Sequence, residues 1–114
     1  MVKFKDLFSF KKKEIDKVFE AALRKTSMLG IKLLFSPANK NQKHGKLLII
    51  ISSLSGKAHE RNKVRRQIKN IFFEEQLYTV PGNWILQVYK EAMNLNFNQI
   101  RNFLLNNIKH NESK

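Results

Sequence analysis

The sequence predicts an α+β fold, a single-domain two-layer α/β sandwich, and three observations predict it. The run Lys46 to Ser53 (Lys-Leu-Leu-Ile-Ile-Ile-Ser-Ser) is β-branched and apolar at successive positions, as expected of a strand in the middle of a sheet with at least one face covered by helix. The stretches Lys12 to Lys25 and Gly56 to Gln76, on either side of it, repeat their apolar residues at the helical period. Beyond the second of these, Trp84 to Lys90 alternates at the strand period, so helices and strands interleave along one chain.

Taken in order, residues 1–11 carry Phe4, Phe8 and Phe10 among lysines and read as an extended arm packed on the domain. In the first helix Ile15, Val18, Phe19, Ala22 and Leu23 fall at i, i+3, i+4, i+7 and i+8, one buried stripe, with Lys12, Lys13 and Lys17 outside it. Thr26-Ser27 and Gly30 end this helix. Gly30 to Ser36 reads as a strand, and Pro37 to Gly45 as a polar loop. Ser53-Leu54-Ser55-Gly56 is a turn into the second helix, and Val80-Pro81-Gly82-Asn83 a turn out of it. The strand at Trp84 sets Trp84, Leu86 and Val88 against Ile85, Gln87 and Tyr89. Asn94 or Asn96 caps a last helix whose buried side is marked by Phe97, Ile100, Leu104 and Ile108, and residues 110–114 read as a frayed tail. No internal repeat or interdomain linker breaks the 114 residues, which are read as one domain.

Twenty-two Lys and Arg against nine Asp and Glu give a net charge of +13. Such a charge speaks to partners rather than to fold: nucleic acid first, an anionic membrane surface second. The chain has no cysteine, hence no disulfide, thiolate metal site or thiol nucleophile, which suits a reducing, cytoplasmic setting. No apolar run approaches the ~18–20 residues of a membrane span, and the basic start lacks the apolar core of a secretory signal.

Much of the charge is concentrated on the second helix. Val64, Ile68, Ile71 and Phe72 make its apolar stripe. Arg61, Arg65 and Lys69, at i, i+4 and i+8, run along the border, and Asn62 with Arg66 widens the basic strip. Nothing acidic interrupts it between Arg61 and Phe73. Like charges four residues apart destabilise a helix, so the pattern points to a polyanionic partner, although a basic face is most often simply solvated. Arg and Asn tilt the balance toward binding, because guanidinium forks and amides make directed hydrogen bonds to phosphate, ribose and base edges.

An assembled active site is not found. His44, His59 and His110 are scattered over a loop, a helix start and the tail, whereas a histidine-pair nuclease needs two imidazoles on one phosphate. Two-metal chemistry needs several carboxylates around ions ~3.5–4 Å apart. The only aspartates are Asp6 and Asp16, and Asp16 and Glu20 read as pairing with Lys13, Lys17 or Arg24. No Gly-rich phosphate loop, G-x-S-x-G or H-E-x-x-H occurs. Among the aromatics, Phe19 reads as core from its place in the stripe. Phe35 could be core or a base-stacking platform, since either face of its strand can be the open one.

The run Arg61-Asn62-Lys63-Val64-Arg65-Arg66-Gln67-Ile68-Lys69 resembles the signature of the bacterial ribonuclease P protein family. That pattern runs Gly, a Lys-like residue, Ala, any two, Arg-Asn, any two, basic-Arg, any two, basic; Gly56, Ala58, Arg61, Asn62, Arg65, Arg66 and Lys69 fall in register. Lys12 to Phe19 is similar to the family's first helix, and Ile31 to Phe35, Lys46 to Ser53 and Asn83 to Tyr89 to its strands. The sequence departs where Ser53 and Leu54 replace two lysines, Asn70 an acidic residue and Phe73 an arginine, so RNA contacts are not carried over to 53, 54 and 73.

The resemblance implies αβββαβα order with a left-handed βαβ crossover, an exception to the usual hand. It implies a protein subunit of ribonuclease P, itself not catalytic, that partners a catalytic RNA. That RNA holds the magnesium ions and removes the 5′ leader of precursor tRNA; no metal is held by the protein alone, and no protein oligomer or membrane is required. Carried over, Lys57, Arg61, Asn62, Lys63, Arg65, Arg66 and Lys69 contact the catalytic RNA. Lys12, Lys17, Phe19 and Phe35 belong to a leader cleft between the first helix and the open sheet face. The alternatives are a ribosomal or other structural RNA-binding protein and a stand-alone ribonuclease. A DNA-binding helix-turn-helix fits less well, because strands flank the basic helix.

Overall fold

Strand alternation decides which side chains meet which helix, and the architecture follows from it. The computed structural model describes residues 3–109, with the backbone alone at 24 and 25. The elements are α1 (Lys12–Glu20), β1 (Arg24–Met28), β2 (Ile31–Ser36), β3 (Gly45–Ile51), α2 (Ala58–Glu74), β4 (Gly82–Val88) and α3 (Phe97–Leu104), the last continued by a π turn over Leu105–Lys109. They build one mixed sheet in the order β1-β2-β4-β3, with β3 and β4 parallel and the other pairs antiparallel.

One face of the sheet carries Ile31, Leu33 and Phe35 from β2, Trp84, Leu86 and Val88 from β4, and Leu47 and Ile49 from β3. Against it α2 sets Val64, Ile68, Ile71 and Phe72, and α3 with its π turn sets Ile100, Phe103, Leu104 and Ile108. These residues form the main core. The second face carries Leu34, Ile85 and Leu48 in one row, Ser36, Asn83 and Lys46 on one side of that row, and Lys32, Gln87 and Ile50 on the other. Across part of this face lies α1, held by its buried Val18 and by an ion pair from Glu14 to Lys46 at 3.4 Å.

Four expectations are corrected here. The first helix stops at Glu20, and Arg24–Met28 is a strand in a hairpin with β2. Ala22 and Leu23 continue the helical spacing by coincidence: Leu23 is exposed, and the Leu23 N–H donates to the Phe35 carbonyl at 2.8 Å. Gly30 turns this hairpin at φ +77°, where a side chain would also collide with the backbone of Glu91 and Ala92.

The apolar run at Lys46 to Ser53 forms the edge strand, not a middle one. Pairing on one side only is compatible with its composition because α2 covers the face of Leu47 and Ile49, while Ile50 on the other face stays exposed, and the outer strand is accompanied by the 3₁₀ turn near the start of the chain. That beginning is not extended: Phe4–Leu7 is a 3₁₀ turn against β3, Leu7 is buried, Phe4 packs on Phe8 and Phe73, and Phe8 packs on Phe72. In α3, Asn96 is the cap, accepting from the Gln99 N–H and donating its own N–H to the Gln99 side chain, both at 2.9 Å. Phe97 lies outside the buried stripe and Phe103 lies in it. The tail at 110–114, His110 and the first two residues of the arm lie outside the described residues.

Candidate nucleic-acid interface

The basic helix is launched by the turn after β3. Gly56 takes φ +105°, a conformation that side chains disfavour, which explains a glycine at the head of the motif. Ser55 is buried beneath the turn, its hydroxyl 3.5 Å from the Val88 carbonyl. The Lys57 N–H donates to Glu60 Oε1 at 2.9 Å, so this first-turn carboxylate is engaged as a cap.

Burial of Val64, Ile68, Ile71 and Phe72 fixes the rotation of α2 and turns the basic strip outward. Arg61 reaches back to the Ser53 carbonyl, with Nη1 donating at 3.0 Å, and Arg65 donates to Asn62 Oδ1 at 3.0 Å. The Lys69 ammonium stands 5.4 Å from the centre of the Phe8 ring. Arg66, Asn62, Lys63 and Lys57 are exposed. Among the described residues the ion pairs are Glu14–Lys46 and Glu75–Arg101, and neither uses a cation of α2. The guanidinium groups are thus pre-oriented by neutral partners while their charge stays available, which is the condition for receiving a polyanion. Phe73, where the motif departs, serves packing: it stacks on Tyr78 and meets Phe4.

The expected cleft residues separate into three places. Lys12 and Phe19 lie on the flank of α1 that also carries Ile15. Lys17 and Lys13 lie on the opposite flank, beside Ser36, Asn39 and Asn83. Since Ser36 and Asn83 belong to the covered row, the Lys12–Ile15–Phe19 flank overlooks the open row of Lys32, Gln87 and Ile50. Phe19 is 38% exposed there and is not core. Phe35 does not join the cleft: it is paired with Trp84 on the α2 side, 5.2 Å between ring centres, and packs over Gly82. The open row itself, with Tyr89 near Gln87, was not singled out from sequence. The alternation that places Gln87 and Tyr89 together was legible, but which face stays uncovered depends on where α1 lands.

Other polar groups serve structure. Gln42 bonds Asn83 through both ends of its amide, at 3.0 and 3.1 Å, and pins the 37–45 loop to β4. The Glu14 carboxyl is held below the usual carboxylate range, chiefly by the Lys11 N–H; burial opposes this, and the Lys46 ammonium adds to the lowering. His44 packs on Tyr78, and His59 stands in the first turn of α2. No group of three or more His, Cys, Asp or Glu able to hold a metal occurs among the described residues. No helix among them is long and apolar enough to cross a membrane.

Comparison with solved structures finds the same fold in the RNase P protein of Staphylococcus aureus, with TM-score 0.78, 21% identity, and 92% of this chain and 94% of that chain covered. The RNase P protein of Thermotoga maritima gives 0.69, 21%, 90% and 96%. The same Thermotoga protein in complex with 1-(4-fluorophenyl)-2-thiourea gives 0.71, 22%, 86% and 94%. No curated protein sequence matches. At these identities the structures speak for the fold alone. Membership rests on a family model, described as ribonuclease P, that matches residues 7–111, nearly the whole chain and the entire basic helix. A cationic helix held outward by its own apolar stripe, on this fold and within that match, leads to one conclusion: the chain belongs to the ribonuclease P protein family, as a protein subunit of the ribonuclease P complex that associates with its RNA in tRNA processing.

Proposed function

We propose that α2 lies against the catalytic RNA of ribonuclease P while the α1 flank and the open sheet row receive the single-stranded 5′ leader of precursor tRNA. The observation that supports this reading is the set of α2 cations with no carboxylate partner among the described residues. Arg61, Arg65, Arg66 and Lys69, with Lys57, Asn62 and Lys63, contact phosphate and ribose of that RNA. Magnesium is held by the RNA, and the ridge lowers the local repulsion against which metal and substrate assemble. The leader, being unpaired, lies across Lys12, Phe19, Lys32 and Gln87, where aromatic and amide groups grip it with little regard to sequence. Lys17, on the other flank of α1, adds charge beside the cleft without lining its floor. Cleavage then takes place in the RNA, and the protein contributes position and charge.

The test is reconstitution with a transcribed bacterial ribonuclease P RNA at moderate magnesium, scoring cleavage of precursor tRNA with long and with one-nucleotide leaders. The protein is expected to raise cleavage, more for the long leader, and to cleave nothing alone. No gain with either substrate would favour a structural RNA-binding role, and cleavage by the protein alone a stand-alone nuclease.

A further inference from the structure

We propose a second RNA-contact site on the far flank of α2: a groove that takes an unpaired nucleobase of the RNA partner, stacked on Phe97. The proposal rests on the RNA-binding reading of α2 and extends it to an element that the basic motif does not reach.

The groove lies between the helix and the segment entering α3, has a volume of about 400 Å³, and is lined by His59, Lys63 and Gln67 from α2 and by Met93, Leu95 and Phe97 opposite. Its makeup differs from that of the ridge. One wall is apolar apart from Asn96 and carries an aromatic ring 39% exposed, while the facing wall carries a cation, an imidazole and a primary amide. The helical period puts His59, Lys63 and Gln67 on the side of α2 away from Arg61 and Arg65.

Phe97 is the residue that the spacing of α3 assigns to the buried stripe, yet the core is closed without it by Ile100, Phe103 and Leu104. It lines the groove with part of its ring exposed. The groove's acidic residue, Glu60, has Oε1 engaged by the Lys57 N–H as the α2 cap and keeps its charge, so a phosphate belongs at the Lys63 side.

An unpaired base suits these features together. Its π face stacks on an aromatic ring, its edge meets Gln67 or His59, and its phosphate lies near the Lys63 ammonium. Charge selects the occupant: the site continues round the helix from Asn62 and Arg66 through Lys63, on a protein of net charge +13. RNA that follows the ridge therefore reaches the groove from its Lys63 side.

The test measures binding of the full chain to a transcribed bacterial ribonuclease P RNA over a range of salt concentrations, with Phe97→Ala, Phe97→Leu, Phe97→Trp and Lys63→Ala. Loss of one stacked base is expected to weaken binding roughly fivefold to a hundredfold in Phe97→Ala, with the salt slope unchanged because no phosphate contact is lost. Phe97→Leu is expected to bind as weakly as Phe97→Ala, and Phe97→Trp like the parent. Lys63→Ala is expected to reduce the slope by about one. Ultraviolet crosslinking should join position 97 to a single-stranded nucleotide of that RNA. If Phe97→Ala unfolds, Phe97→Leu decides, since leucine keeps the apolar cover and removes only the π face. Parent-like binding by Phe97→Leu, with no crosslink at 97, would overturn the groove as a base site and favour a packing role or a protein ligand. The Arg65→Ala/Arg66→Ala double variant separates the two ideas: if it flattens the slope while Phe97 variants change nothing, only the groove fails. If it too changes nothing, the reading of α2 fails.

Discussion

The two cationic helices on opposite faces of the sheet are anchored differently. Four side chains of α2 are buried in the main core, and one of them, Phe72, meets the Trp84 ring with 6.4 Å between centres. By contrast, α1 buries Val18 alone, at 5% exposure, and adds the Glu14–Lys46 pair. Deep anchorage gives α2 a fixed rotation, so its charges present a defined pattern to a folded RNA. Shallow anchorage leaves α1 standing on a partly covered sheet, and the uncovered remainder is what a flexible single strand can enter. On the proposed reading, rigidity suits the structured RNA partner and openness an unpaired leader.

The largest expected effect tests that contrast directly. Ile68→Ala should cost about 2–5 kcal/mol in chemical denaturation, as a fully buried isoleucine in a packed core. Val18→Ala should cost only about 1–2 kcal/mol, two methyl groups at roughly 0.8 kcal/mol each. Equal losses would mean that α1 is as deeply anchored as α2 and would remove the physical basis of the comparison.

At intermediate size, the helices should respond to different RNAs. Arg65→Ala with Arg66→Ala should lower the slope of log affinity against log salt by roughly one to two for ribonuclease P RNA. Phe19→Ala should leave that slope unchanged. It should weaken capture of a leader-bearing precursor tRNA by the assembled complex by up to about 1–3 kcal/mol, with stability altered by less than about 0.5 kcal/mol because the ring is largely outside the core. A Phe19 variant that loses stability but not leader affinity would return this residue to the core role that its spacing suggests.

Phe19 shows what was legible in the chain and what was not. Local patterns recorded the strand alternation of β4 and the α2 stripe, and narrowed the α3 cap to Asn94 or Asn96, because each depends on neighbours within a turn or a pleat. They failed where a distant element decides. Leu23 extends a helical stripe but belongs to the approach to a hairpin, because β2 offers an unpaired edge. The run at Lys46 looks central because its apolar residues meet α2 and the 3₁₀ turn near the start of the chain, not because strands flank it twice. Phe35 falls on the core side because Trp84 is its register partner forty-nine positions on, a pairing that no local spacing encodes. The outward course of the basic strip was legible because it belongs to one helix, whereas the open sheet row is a relation between α1 and a sheet.

The smallest effect concerns what holds α1 in that relation. Glu14 accepts the Lys11 N–H at 3.0 Å and pairs with Lys46, and its carboxyl titrates below the usual range for those two reasons in that order. A depressed folded-state pKa means that the unfolded chain binds the proton first as pH falls. The stabilisation is therefore complete above the unfolded carboxylate pKa and fades as pH drops through the lower folded value. Glu14→Gln should remove that acid-side slope and cost about 0.2–1 kcal/mol at neutral pH, the range for a partly exposed pair. Thermal melts of both proteins should converge at the acid end. If instead their difference persists undiminished at a pH where Glu14 is protonated, the carboxylate's charge does not hold α1 on the sheet, and Val18 with the surrounding apolar contacts does so alone.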